Sequence, residues 1–146
     1  MVAQDNGGIR FMKVLLSSLI LFVAGCAHVQ PAEVVLPMFP APAPGVQTVN
    51  LTALASGTLI EKNGCIRLSR DASHSAMILW SHDFELVKLG ASNAIRHKPG
   101  GMVFEVGSRV KAGGGAIETP PSNLLNLDVA MRCGGPYISV HTMSGA

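Results

Sequence analysis

The sequence predicts an all-β domain: a small antiparallel β-barrel or sandwich of about six short strands, with room for one short helix. Three observations carry this. Between Val46 and Met143, short apolar stretches alternate with turn residues, and no stretch sustains a helical period. The chain carries 16 glycines and nine prolines, which favours many turns over long helices. One hairpin can be read directly in register. At 146 residues there is room for a single domain.

The hairpin spans Gly57 to Ser69. Asn63-Gly64 is the preferred pair for a two-residue type I′ turn. Such a turn pairs Lys62 with Cys65, Glu61 with Ile66 and Leu59 with Leu68. Leu59, Ile66 and Leu68 then share the inward face, and Ile60 and Arg67 share the other. Further strands are expected at Ala76–Trp80, Phe84–Leu89, Met102–Val106, Ser108–Ala112 and Tyr137–Thr142. Pro99-Gly100-Gly101 and Gly113-Gly114-Gly115 read as turns, the second with positive φ angles. Ser122–Met131 reads either as a short helix capped by Ser122 or as one more strand.

Ahead of this domain lies a segment of different character. Val14 to Ala24 is uncharged and mostly apolar, follows Lys13, and is too short to span a bilayer, which takes about 20 residues. A basic start, a short apolar run and small residues at its end are the features of a signal peptide over residues 1–25. Residues 1–11 contain Asp5, which such a leader does not need. Either translation starts at Met12 or the n-region is longer than usual and kept basic by Arg10 and Lys13. The tetrapeptide Val23-Ala24-Gly25-Cys26 resembles the lipobox of bacterial lipoproteins. That resemblance covers about residues 12–27. It implies diacylglycerol on the Cys26 sulfur, cleavage before Cys26, and acylation of the new amino group with chains such as palmitate. Two or three acyl chains anchor stably where one binds only marginally. Ala27 stands where the family's inner-membrane retention signal would place Asp. The expected location is therefore the cell envelope, on the outer membrane facing the periplasm.

Residues 26–45 read as the lipidated Cys26 and a proline-rich tether, with residues 46–146 as the β domain. Pro40, Pro42 and Pro44 alternate with alanine, a composition that stays extended and cannot form a core. Val34, Val35, Leu36, Met38 and Phe39 are more apolar than a spacer needs, and would add a strand or lie on the domain. With Cys26 lipidated, Cys65 and Cys133 remain, and the periplasm favours their oxidation. The hairpin register turns Cys65 away from Ile66. A disulfide therefore requires the C-terminal segment to cross that face, or a distortion beside the turn.

The mature part also resembles small cysteine-containing β domains of secreted bacterial proteins and lipoproteins that have no assigned activity. Its matching residues are Gly57, Leu59, Gly64, Cys65, Trp80, Val106, Gly107, Val110, Gly113 to Gly115, Cys133, Gly135, Pro136 and Tyr137. These are structural positions, so the resemblance implies a fold and a disulfide rather than a reaction.

Several function classes lose support at this stage. Nine Lys/Arg and eight Asp/Glu remain once Arg10, Lys13 and Asp5 are set aside with the leader, and they are scattered. With one Trp and one Tyr to stack bases, the sequence offers no nucleic-acid surface. Ser81-His82-Asp83 holds the residue types of a hydrolytic triad, but neighbours on an extended chain point to opposite faces. No Gly-x-Ser-x-Gly elbow exists. The five histidines form no close ligand pair; His74 and His82 could meet only across a hairpin. Gly113 to Gly115 lack the Lys-Ser or Lys-Thr of a phosphate loop, and Glu118 would repel phosphate. The carboxylates Glu61, Asp71, Asp83, Glu85, Glu105, Glu118 and Asp128 nominate no facing pair. The expectation is a non-enzymatic envelope module that binds or braces an envelope protein or small ligand, with no cofactor. The rival is a small secreted hydrolase or hydrolase inhibitor using His82, Asp83 and His141. A metal-binding lipoprotein is the third reading.

Overall fold

The computed structural model describes residues 32–47 and 51–146. The leader and Cys26 lie outside the described residues. Eight strands and one helix follow in order: β1 Ala53–Lys62, β2 Cys65–Ser69, β3 Ser75–Trp80, β4 Phe84–Leu89, β5 Ser92–His97, β6 Val103–Glu105, β7 Arg109–Ile117, α1 Leu127–Cys133 and β8 Tyr137–Gly145. The all-β reading holds.

The hairpin forms in the expected register, with Lys62 opposite Cys65, Glu61 opposite Ile66 and Leu59 opposite Leu68. Asn63 (φ 54°) and Gly64 (φ 75°) both take the left-handed conformation that a type I′ turn demands. Leu59, Ile66 and Leu68 are buried in the core. From this hairpin a closed barrel grows in the order β1-β2-β3-β8-β7, with β7 returning to β1. β1 is long enough to serve both neighbours: Ala53–Thr58 pairs with β7 and Thr58–Lys62 with β2.

One pair departs from the antiparallel expectation. β8 runs parallel to β3, placing Ile78 beside Ile138 and Trp80 beside Val140. Five strands closed this way follow the plan of OB-type barrels, whose ligands commonly lie on the face of the second and third strands. β4, β5 and β6 form a separate three-stranded meander. Joining the end of β3 to the start of β7, it lies at that end of the barrel. Its Phe84, Ile95 and Phe104 share one core with Leu59, Ile78, Trp80, Val110 and Val140.

Two local expectations are corrected. Gly113 to Gly115 are not a turn; they lie inside β7, none with positive φ, and a β-bulge falls between Gly113 and Gly114. The reason is steric. A Cβ on Gly114 would overlap the backbone carbonyl of Ser139 on β8, and one on Gly113 would overlap the Thr142 hydroxyl. Ser122 is not the helix cap; α1 starts after Asn126, whose φ of 58° is left-handed and whose amide donates to the Leu36 carbonyl. β5 was not foreseen. Only Ala94 and Ile95 among its six residues are apolar, so it shows no strand pattern in sequence.

The apolar residues of the tether lie on the domain. Leu36 and Pro37 are buried. Met38 exchanges backbone hydrogen bonds with Leu125, while Phe39 donates to Trp80 and Trp80 donates to Pro37. The packed unit thus begins ahead of Val46.

The disulfide Cys65–Cys133 is present, with Cα atoms 5.9 Å apart. Its explanation lies outside the barrel. α1 packs against the outer face of β3, where Leu79, Leu124 and Ala130 form a second small core with Phe39, Ile117, Leu127 and Tyr137. The C-terminal segment does cross the face that the register gives Cys65, and no distortion is needed.

Arg67 fastens the same junction. Its Nη1 donates to the carbonyls of Cys133 and Gly134, Nη2 to those of Gly135 and Ser75, and Nε to the Ser75 hydroxyl. A guanidinium has five N–H donors, so this one is fully used. A cation at a helix C-terminus also suits the helix dipole.

Candidate functional site

The meander caps one end of the barrel, and among the described residues no element caps the other. The open end is where β1, β3 and β8 begin and β2 and β7 finish. There a cleft of about 580 Å³ is lined from all five barrel strands. Leu54, Ala55, Leu68, Ala76, Ala116 and Ile138 give it an apolar lining, with Pro136 and Tyr137 as one wall. Leu68 pairs with Ala76, and Ile138 with Ile78, so these side chains continue the barrel interior outward. Leu54 is 72% exposed, a large apolar side chain without cover. The volume falls in the range of small-molecule sites, and barrel mouths are a common place for them.

The rim comes from the β2–β3 loop, which supplies Arg70, Ser73 and His74. Asp71 organises this loop. Its Oδ1 accepts from the N–H groups of Ser73 and His74, and the His74 ring lies 2.8 Å away. Those bonds, the Ser73 N–H first, hold the Asp71 carboxyl below the usual carboxylate range. Asp71 is therefore engaged. The Arg70 guanidinium has no salt bridge among the described residues, and no carboxylate lines the cleft. The mouth combines an apolar floor with one uncommitted cation.

Ser81, His82, Asp83 and His141 are brought into one cleft, of about 480 Å³, with Phe39, Ile117 and Ser139. The wiring is not that of a triad. The Ser81 hydroxyl donates to Asp83 at 3.3 Å, and His82 Nε2 lies 3.4 Å from the other oxygen of the same carboxylate. Asp83 thus stands between serine and histidine, whereas nucleophile activation needs the histidine in the middle. Ser81 and Ser139 are buried, the latter donating to the Gly115 carbonyl, so neither presents a nucleophile.

His141 stacks on Phe39 with ring centroids 6.0 Å apart. Burial holds its imidazole below the ordinary histidine value; Asp83 opposes this and His82 adds to it. A histidine whose pKa is lowered by folding binds fewer protons folded than unfolded. Stability is therefore present above the ordinary value near 6.5 and declines as pH falls through it. The thermal midpoint should drop between about pH 7.5 and 5.5, and His141→Phe should flatten that slope.

His74 and His82 are not brought together. They flank opposite ends of β3, whose six residues span roughly 20 Å. No group of three His, Cys, Asp or Glu side chains is placed to hold a metal ion among the described residues. The outer face of β2 and β3, where OB-type barrels take their ligands, is occupied by α1 and clamped by the disulfide.

The mouth residues Leu54, Arg70, Tyr137 and Ile138 were not nominated by the sequence. They come from strand ends far apart in the chain, and no local motif joins them. Compared with known proteins, the chain matches no family model, no curated protein and no solved structure. The functional reading therefore rests on the residues and their geometry.

Proposed function

We propose that this protein is a lipid-anchored envelope module, held on the periplasmic face of the outer membrane through Cys26. Its barrel mouth binds an amphipathic anion. The anchor follows from Val23-Ala24-Gly25-Cys26 and the apolar run before it. The observation that supports binding is the cleft lined from all five strands, with Arg70 uncommitted at its rim. An apolar body would lie on Leu54, Leu68 and Ile138, and its anionic head beside Arg70.

A dansylated fatty acid tests this by fluorescence titration of the purified protein. Leu54→Asp, a change at an exposed position, should weaken binding roughly tenfold or more, since covering a leucine side chain contributes about 1.5–3 kcal/mol. Arg70→Ala should weaken the fatty acid and leave the matching dansylated alcohol unaffected. Equal affinity for wild type and both variants would reject the mouth as the site.

One observation favours a second reading, a small hydrolase: Ser81, His82, Asp83 and His141 share a cleft. Turnover of a p-nitrophenyl ester that is lost in His141→Ala and Asp83→Ala would support it. Turnover unchanged in both variants, or absent in wild type, would count against it.

A further inference from the structure

We infer that the domain sits against the membrane in a fixed orientation, with the Asn63-Gly64 hairpin tip facing anionic phospholipid headgroups and the barrel mouth facing away. This rests on the Cys26 anchor proposed above and goes beyond it.

The tether limits how the domain can turn. Had residues 26–45 been a free spacer, their extended length of about 60 Å would have let the domain turn in any direction. The docked segment removes that freedom. Leu36 to Phe39 are bonded to Trp80, Leu125 and Asn126. Ala32 and Glu33 lie on the hairpin tip, close enough that a Cβ on Gly64 would meet both their carbonyl oxygens at 2.9–3.0 Å. Only five residues lie between Cys26 and Ala32. They reach at most about 20 Å, so the chain enters the domain close to the bilayer and at one defined place.

Charge favours the same face. Ala32 borders a cleft of about 490 Å³ lined by Lys62, Arg67 and Arg132, with no carboxylate in its lining. Arg67 is buried, and burial lowers its pKa; its hydrogen-bond partners are carbonyls and a hydroxyl, so its positive charge has no carboxylate partner among the described residues. Lys62 and Arg132 are exposed beside it. On the other side of Ala32, Lys88 accompanies Glu33 and Glu61, and Glu61 accepts from Asn93. Cations outnumber carboxylates around the point of entry. A headgroup layer carrying phosphate charge complements such a face within about a Debye length.

The run of β2 sets the direction of the mouth. β2 starts at Cys65, beside the point of entry, and ends at Ser69, where the mouth loop begins. Fixing one end of β2 at the membrane directs the other toward the periplasm.

The test uses the full acylated protein in phosphatidylglycerol–phosphatidylcholine vesicles carrying a headgroup-linked quencher. A fluorophore is attached at Ala91→Cys, near the point of entry, or at Ser73→Cys, on the mouth loop. Quenching several-fold stronger at Ala91 than at Ser73 is expected. The difference should shrink, without vanishing, in high salt and in the Lys62→Glu/Arg132→Glu variant. Equal quenching at both positions would overturn the orientation while leaving the anchor intact, and a difference unmoved by both salt and charge reversal would overturn the contact with anionic headgroups. An intact mass without the diacylglycerol increment on Cys26 would overturn the anchor reading and this inference with it.

Discussion

Replacing Cys65 and Cys133 together with serine should destabilise the domain by about 4 kcal/mol, the chain-entropy cost of releasing a loop closed across 68 residues. For a domain of this size that corresponds to a fall in thermal midpoint of roughly 15 °C. The loss should not be uniform. Without the bond, α1 loses its covalent tie to β2 and is left with noncovalent ones, the apolar contacts to Leu79 and the Arg67 hydrogen bonds to its last carbonyls. Amide exchange should therefore accelerate most in α1 and least in β1 and β2, whose core lies inside the barrel. Calorimetry of the oxidised wild type and the double variant checks the size, and hydrogen exchange the distribution. An unchanged midpoint would mean that the outer core holds α1 by itself.

Gly114→Ala should cost about 3 kcal/mol, the upper end of what overpacking by a single methyl group produces. The obstruction is the Ser139 carbonyl, which belongs to the backbone and cannot swing aside as a side chain would. Relief requires β7 and β8 to separate at the bulge, next to the Gly115–Ser139 pair. Gly145→Ala is the control: it meets open space and its φ is not positive, so it should change stability by less than about 0.5 kcal/mol. Urea unfolding should show a lowered midpoint with unchanged slope for Gly114→Ala and no shift for Gly145→Ala. Equal midpoints would remove the steric explanation for the glycine run.

These two sites show what the sequence revealed and what it concealed. The β1–β2 hairpin was readable to the residue because its information is local: a two-residue turn, a two-residue period and one buried face. The cysteine pairing followed from assigning Cys26 elsewhere. The path that makes it geometrically feasible did not, because it depends on α1 crossing the outside of β2 and β3. Gly113 to Gly115 misled because glycine marks both a turn and a close approach of backbones, and only the partner strand separates the two. The parallel β3–β8 pair was invisible for the same reason, since Ala76–Trp80 and Tyr137–Thr142 read as strands without naming each other. Val34 to Phe39 were apolar enough to point to the domain, but Pro37 and the prolines after it put the domain boundary too late, at Val46.

The site divides similarly. Ser81, His82, Asp83 and His141 were visible as residue types and do share a cleft, but with Asp83 in the position a triad gives to histidine. The mouth was illegible. Leu54 and Arg70 fall outside every element and motif that the sequence nominates, and only the convergence of five strand ends brings them together.

The proposed anchor at Cys26 underlies both the proposed function and the membrane orientation, and the intact mass of the protein extracted from bacterial membranes tests it most directly. The account predicts a chain beginning at Cys26, carrying diacylglycerol on sulfur and an acyl group on nitrogen, with two fewer hydrogens for the Cys65–Cys133 bond. A chain still bearing residues before Cys26, or one with an unmodified Cys26, would contradict it.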